Sequence, residues 1–442
     1  MKNKFIRKWL VILTVAAMMI PAGIPANAET VEEGENIAPT AGISAETPNV
    51  TAETQKEEIS AEMPDMTAET QNEEKSDVQA EGQNQAKQGV LEAVRQNTEK
   101  AEEASDAVDV QAEERTAGEV QIGEQIYPTL TEAFAAAKDG DVLRLLENAE
   151  VSQPILLTKN VTLDTNGFTV SAAAGFKGNF MFTNRGTFNI VGSGKIDGSV
   201  GTYPLIMINN TGGAVLNIQS SEITGQGVVQ NVGGIVNITG GTLTASARNT
   251  VLSQFGEVHI GASAYLMAAG EGKSAVQLIG AKMTLSGDAV LSGNGGIDVF
   301  NSNRNEEGTV SAQVEITGGR IETKDFPVSG NNQESAGAEV AITGGSLKNI
   351  SGGTAIYWPM EGQLTIGGNA VIEGGTGIEA KMGTITIKDN AVITGSGEWK
   401  EEKPQNGGAN PEGSAFLGSA QMYDGCINDS SLVVNILGGT LK

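Results

Sequence analysis

The sequence predicts an all-β fold, a right-handed parallel β-helix, over residues 119–442. Three observations carry this. First, aliphatic anchors recur from Leu163 to Ile436 at spacings of 27, 28, 20, 22, 25, 31, 26, 24, 21 and 49 residues. A recurrence of that length marks a solenoid, and the last interval is taken as two coils. Second, residues alternate within each copy: Val314 and Ile316 point one way, Glu315 and Thr317 the other. Period-two alternation sends the aliphatic row inward and Thr, Glu, Gln and Asn outward. Third, glycine pairs stand where a coil must turn, the positions at which positive φ is needed.

Residues 1–28 have the composition of a Sec signal peptide. Lys2, Lys4, Arg7 and Lys8 form a basic start, Trp9 to Ile20 an apolar core, and Ala26-Asn27-Ala28 a small-x-small cleavage site. The apolar core is shorter than the roughly 20 residues needed to cross a bilayer. The mature chain is therefore expected to begin at Glu29, secreted or associated with a cell wall, without membrane insertion. Few cysteines are also usual in exported proteins of Gram-positive bacteria.

Residues 29–118 read as an acidic, low-complexity, disordered spacer. They hold 23 acidic and 6 basic residues, a net of −17 out of −26 for the chain, and the near-repeat VTAETQKEEISAEMPD/MTAETQNEEKSDVQAE runs from Val50 to Glu81. So much charge with so few large apolar residues cannot offset ordering entropy of roughly 1–2 kcal/mol per residue. The acidic balance excludes nucleic acid and anionic membrane surfaces as partners.

The folded part opens with a cap region, residues 119–150. Thr129-x-x-Glu132 is a capping box for a short helix running to about Lys138, with Leu130, Ala133, Phe134 and Ala137 on one face. An amphipathic helix ahead of many strands suits a lid over the first coil.

Eleven or twelve coils follow. One signature, Ile-Thr-Gly-Gly-x-[Leu/Ile], occurs at Ile238, Ile316 and Ile342, and with Leu for Thr at Ile436. A form longer by one residue begins at Ile260, Leu285, Ile366 and Ile387. An antiparallel sandwich would instead place turns every 8–12 residues or so. Two stretches break the rhythm: Asn303 to Ala312 lengthens one coil, and residues 395–431 read as an inserted loop carrying Trp399, Tyr423 and Cys426. The chain ends at Lys442 directly after a coil signature. That ending raises the expectation of a C-terminally shortened chain with anchoring domains downstream.

The stretch YPTLTEAFAAAKDGDVLRLLEN…NVTLDTNGFTV (Tyr127 to Val170), with VNITGGTLTAS and LTIGGNAVIEGG, resembles bacterial cell-surface β-helix proteins of the pectin-lyase-like superfamily. The resemblance spans about Val120 to Lys442. It implies the fold and leaves the activity open, because lyases, hydrolases, tailspikes and adhesins share it.

The residues themselves offer little chemistry. Asp164, Asp197, Asp288, Asp298 and Asp389 share no common offset, and Asp288 and Asp389 occupy turn positions. Glycoside cleavage needs two carboxylates flanking one bond. His259, the one histidine, takes an outward strand position, and the lone Cys426 excludes cysteine-based metal clusters. No cofactor or metal is expected. The aromatics Tyr357, Trp358 and Trp399 are the candidates for glycan contact, since sugars stack on exposed rings; the other reading of Trp358 is a side chain that covers a coil corner. The expectation is a non-catalytic, adhesin-like rod that meets an extracellular glycan or a host surface protein. The alternative is a secreted polysaccharide lyase or glycoside hydrolase.

Overall fold

The computed structural model describes residues 118–199, 206–304, 308–330, 337–398, 413–418, 421–423, 426–427 and 432–442. Residues 1–28 and all but the last of 29–118 lie outside them, as does Trp399. The described residues all belong to one unit, 109–442.

Three long sheets run side by side through that unit, with fourteen, twelve and eleven strands, here called sheets A, B and C. The chain visits them in rotation, so a strand pairs with the strand three places on, and pairings between coils are parallel. This is a parallel β-helix with three strands per coil.

Register explains why the anchors recur. In sheet A the row Ile238, Ile260, Leu285, Ile316, Ile342 and Ile366 stacks in direct register from one coil to the next. Sheet B stacks Leu243, Leu266, Leu291, Ile321, Leu347 and Ile372 in the same way. These side chains are essentially inaccessible to water. Each contributes on the order of 1.5–3 kcal/mol from burial.

The turn chemistry follows the two signatures. In the short form the second glycine has positive φ in every copy: Gly241, Gly319, Gly345 and Gly439 lie between 83° and 87°. The longer form puts the positive φ two residues after the anchor, at Ala262, Gly287, Gly368 and Asp389. Asp389 thus serves as a turn residue, and its carboxylate accepts the Gly368 amide at 3.0 Å.

At the head end, Val120–Ile122 pairs antiparallel with both Gln125–Tyr127 and Val142–Leu145. Helix α1 (Leu130–Ala136) is capped by Thr129, whose hydroxyl accepts the Glu132 amide. It ends slightly before the expected Lys138. Leu130, Ala133, Phe134 and Ala137 face inward, and Phe134 meets Phe182 and Phe188 edge-on at 5.9 and 6.0 Å. The helix is a lid on the first coils.

Three sequence expectations need correction. The 49-residue interval is one coil, because Gly383–Ile387 pairs directly with Leu432–Ile436 and Ile387 meets Ile436. Residues 395–431 are more than a loop: Phe416–Gly418 lies within them and pairs with Thr376–Ala380 in sheet C. A short antiparallel pair, Gln421–Tyr423 with Cys426–Ile427, follows. Finally, not every asparagine points outward. Asn184, Asn210 and Asn231 occupy an inward column of sheet C and are fully buried.

Those three form an amide ladder. Asn184 Nδ2 donates to Asn210 Oδ1 at 2.8 Å, Asn210 Nδ2 to Asn231 Oδ1 at 2.9 Å, and Asn231 Nδ2 to Ser253 Oγ at 3.0 Å. The same amides reach the carbonyls of Val215, Ala214, Ile235 and Gly234, where the chain bends from sheet C into sheet A. Buried carbonyls at a bend have no strand partner on one side, so a side-chain donor is needed there. Gly234 makes room: a Cβ on it would lie 2.4 Å from Asn210 Nδ2. The longer coil near Asn303 to Ala312 uses a related device. Ser302–Arg304 and Gly308–Val310 form an antiparallel hairpin, and Asn301 Oδ1 accepts the Ala312 amide at its base.

Candidate functional site

The outer face of sheet A carries a groove of about 480 Å³. It crosses five successive strands: Glu257–Ile260, Lys282–Leu285, Gln313–Ile316, Ala338–Ile342 and Gly362–Ile366. Two outward columns line it. One runs Glu257, Lys282, Gln313, Glu339, Gln363, and the other His259, Thr284, Glu315, Ala341, Thr365. Both follow from alternation: every second residue of a half-buried strand faces away from the core, and parallel register stacks equivalent positions. The groove therefore runs along the stack, with one pair of side chains per rung.

At its upstream end the side chains are tied together. His259 Nδ1 lies 2.9 Å from Thr284 Oγ1, and Nε2 faces the Glu257 carboxylate at 3.6 Å. Lys282 Nζ sits 3.9 Å from the other Glu257 oxygen. His259 points outward as its position demands, and its side chain is 41% exposed. The carboxylate beside it comes from two residues earlier on the same strand, on the same outward face. The hydrogen bond to Thr284 orients the ring through Nδ1, with the Glu257 carboxylate near the other nitrogen.

Glu315 and Glu339 stand on neighbouring rungs farther along and are exposed. Neither has a cationic partner among the described residues. Before the groove, the His259 column continues as an outer amide ladder. Asn237 Nδ2 donates to Asn217 Oδ1, and Asn217 Nδ2 to Asn189 Oδ1, both at 2.7 Å.

The aromatic candidates do not lie here. Trp358 is fully buried and Tyr357 is 8% exposed, so neither offers a free ring face to a sugar. Trp358 shares the inward side of its strand with Ile356. Tyr357 faces outward from sheet C and is covered, its ring stacked on Phe326 at 5.1 Å. Burial, with the Glu379 charge beside it, raises the Tyr357 pKa. Surface stacking at these two residues is therefore corrected, and the burial of Trp358 agrees with the alternative of a covered corner. Trp399 lies outside the described residues.

Two polar clusters on sheet C escaped the sequence reading. Asp298 is bridged by Ser274 and Ser329, each hydroxyl 2.6 Å from one carboxylate oxygen. Burial raises its pKa despite those two bonds. Farther along the same column, Glu379 lies 2.7 Å from Lys381, and both side chains are completely buried. Outward positions normally meet water, so nothing local in the sequence marks these as covered.

On sheet B, Lys195 bridges Asp197 at 3.1 Å and Glu222 at 3.2 Å. Burial pushes the Asp197 carboxyl up, but hydrogen bonds from Ser199, Lys195 and Thr224 outweigh this and bring its pKa down to about 2. These interactions tie neighbouring coils together.

Comparison of the chain with protein-family models, with curated proteins and with solved structures gives no match.

Proposed function

We propose that this chain is a non-catalytic, exported bacterial surface protein of the pectin-lyase-like kind, and that its β-helix meets an extracellular glycan through the groove on sheet A. One observation carries the reading: an open trough crosses five successive strands, with at least one hydrogen-bonding side chain on every rung. A trough of that form suits a long polymer better than a compact small molecule, which needs a pocket that encloses it. The leader-like residues 1–28 and the acidic stretch behind them support export and display away from an anionic wall.

The test is a panel of soluble glycans offered to the full chain, with binding and bond cleavage followed on the same samples. Saturable binding without release of reducing ends or unsaturated sugars is expected. Steady turnover of any glycan would refute the non-catalytic assignment. Absence of binding across the panel would refute glycan contact.

A further inference from the structure

Resting on that reading of the groove as a glycan contact, we propose that its ligand is an amine-bearing polysaccharide of the polyglucosamine type, lying parallel to the solenoid axis, and that polyuronates are rejected. Two independent features of the groove lead there, its periodicity and the sign of its charge.

Neighbouring coils are separated by about 4.8 Å, so the five rungs span about 19 Å from first to last. The rise of one rung is close to that of one pyranose in an extended β-1,4-linked chain. Successive sugars then meet successive pairs of side chains in step. An extended peptide advances about 3.3 Å per residue and falls out of step with the rungs. Gln313, Gln363, Thr284 and Thr365 supply amides and hydroxyls for sugar hydroxyls at this spacing. Ala341 leaves low ground between them for a ring to pass.

Charge selects among polysaccharides. The groove holds three carboxylates, Glu257, Glu315 and Glu339, against the single fixed cation Lys282. Lys282 already lies beside Glu257. Glu315 and Glu339 therefore present uncompensated negative charge on adjacent rungs, and like charges brought there are disfavoured. A polyuronate carries a carboxylate on every sugar and meets repulsion. A protonated sugar amine meets a partner.

The experiment uses the full chain in calorimetric titrations at a mildly acidic pH where sugar amines are protonated. Partially deacetylated chitosan oligomers, fully N-acetylated oligomers, polygalacturonate with and without calcium, and poly-lysine are titrated in turn. The acidic residues before the β-helix attract any polycation, so two charge-matched variants are compared: Glu315→Gln/Glu339→Gln in the groove, and Glu147→Gln/Glu150→Gln on exposed positions outside it. The expected result is binding of the amine-bearing oligomer that weakens at least tenfold in the groove variant and less than about twofold in the other. Equal losses in the two variants would overturn the proposal. So would polygalacturonate binding at the groove, calcium-bridged or not, or poly-lysine binding that depends equally on Glu315 and Glu339. Groove-dependent binding of N-acetylated oligomers with no advantage for the amine would sink the charge argument and leave glycan contact standing. Failure of every polysaccharide would sink both.

Discussion

Replacing Asn210 tests whether the inner amide ladder holds the coil bends. Its fully buried side chain accepts from Asn184 and donates toward Asn231, Ala214 and Ile235 at 2.8–3.1 Å. In Asn210→Leu the branched shape is kept while methyl groups replace smaller polar atoms, so no cavity forms and the added bulk can only add to the cost. Asn184 keeps its bond to the Val215 carbonyl, and the Ala214 carbonyl keeps the Ile235 amide. The clear losses are the donor to Asn231 Oδ1 and the acceptor for one Asn184 N–H. Each orphaned buried group costs about 1–3 kcal/mol, which gives about 2–4 kcal/mol after the modest gain from the apolar side chain. Asn210→Asp is harsher, because it sets a carboxylate oxygen against three acceptors. That carboxyl's folded pKa must lie above its unfolded value, so the variant is least destabilised in acid and loses stability as pH rises through the folded pKa. Solenoids unfold locally, so a global midpoint is a blunt measure. Amide hydrogen exchange is sharper. Protection in Phe180–Asn184, Ile206–Thr211 and Gly227–Val232 should fall about a hundredfold in Asn210→Leu, while Thr376–Ala380 is unchanged. Unchanged exchange in the three ladder strands would refute the reasoning.

Four further outcomes are expected. Asp197→Asn should cost about 1–2 kcal/mol at neutral pH. The carboxylate's folded pKa of about 2 lies below its ordinary 3.8, so its stabilisation is present above 3.8 and lost as pH falls toward 2; pH-dependent urea melts of wild type and variant should converge in acid. Lys381→Met should cost about 3–5 kcal/mol by leaving Glu379 buried beside it, and adding Glu379→Leu should recover a good part of that in thermal melts; a double variant worse than the single one would contradict this. Phe134→Ala should loosen the lid, costing about 3–5 kcal/mol, with faster exchange in the strands nearest α1 as the readout. Intact-mass measurement of the chain secreted from a Gram-positive host should give a protein beginning at Glu29; retention of residues 1–28 would refute export by cleavage.

The solenoid was legible because its determinants are local and repeated. A row such as Ile238 to Ile366 needs only alternation and a fixed turn, and both stand in the sequence. The short-form corners could be placed to the residue, at Gly241, Gly319, Gly345 and Gly439, whereas two longer-form corners bend at Ala262 and Asp389. What failed depends on relations across coils. Asn184, Asn210 and Asn231 are single polar residues lying about one coil apart, and each alone looks like an outward position. The ladder exists only once the coils are stacked. Trp358 and Tyr357 misled for a similar reason. Aromatic side chains at a strand end fit a surface contact or a covered corner equally well until the neighbouring coils are in place. The groove was only partly visible: His259 was seen, whereas Glu257 beside it and Glu315 and Glu339 beyond it gain meaning from register.

The three faces differ in what they leave available, and this is why we place the proposed contact on sheet A. On sheet C the outward column from Asp298 through Ser329 and Tyr357 to Glu379 is engaged or covered, by serine bridges, ring stacking and a buried ion pair. On sheet B, outward charges such as Lys195 with Asp197 and Glu222, and Lys348 with Glu373 at 3.0 Å, are paired along and between coils. A ligand there would first have to break such pairs. Sheet A differs along its length. Its upstream columns are closed by the outer amide ladder, whose donors and acceptors already satisfy one another. Only past His259 does the ladder give way to side chains of mixed type with carboxylates uncommitted to any described partner. Charged groups left exposed without partners gain little for folding. Their cost to the fold is small, and the interactions they retain are available for another molecule.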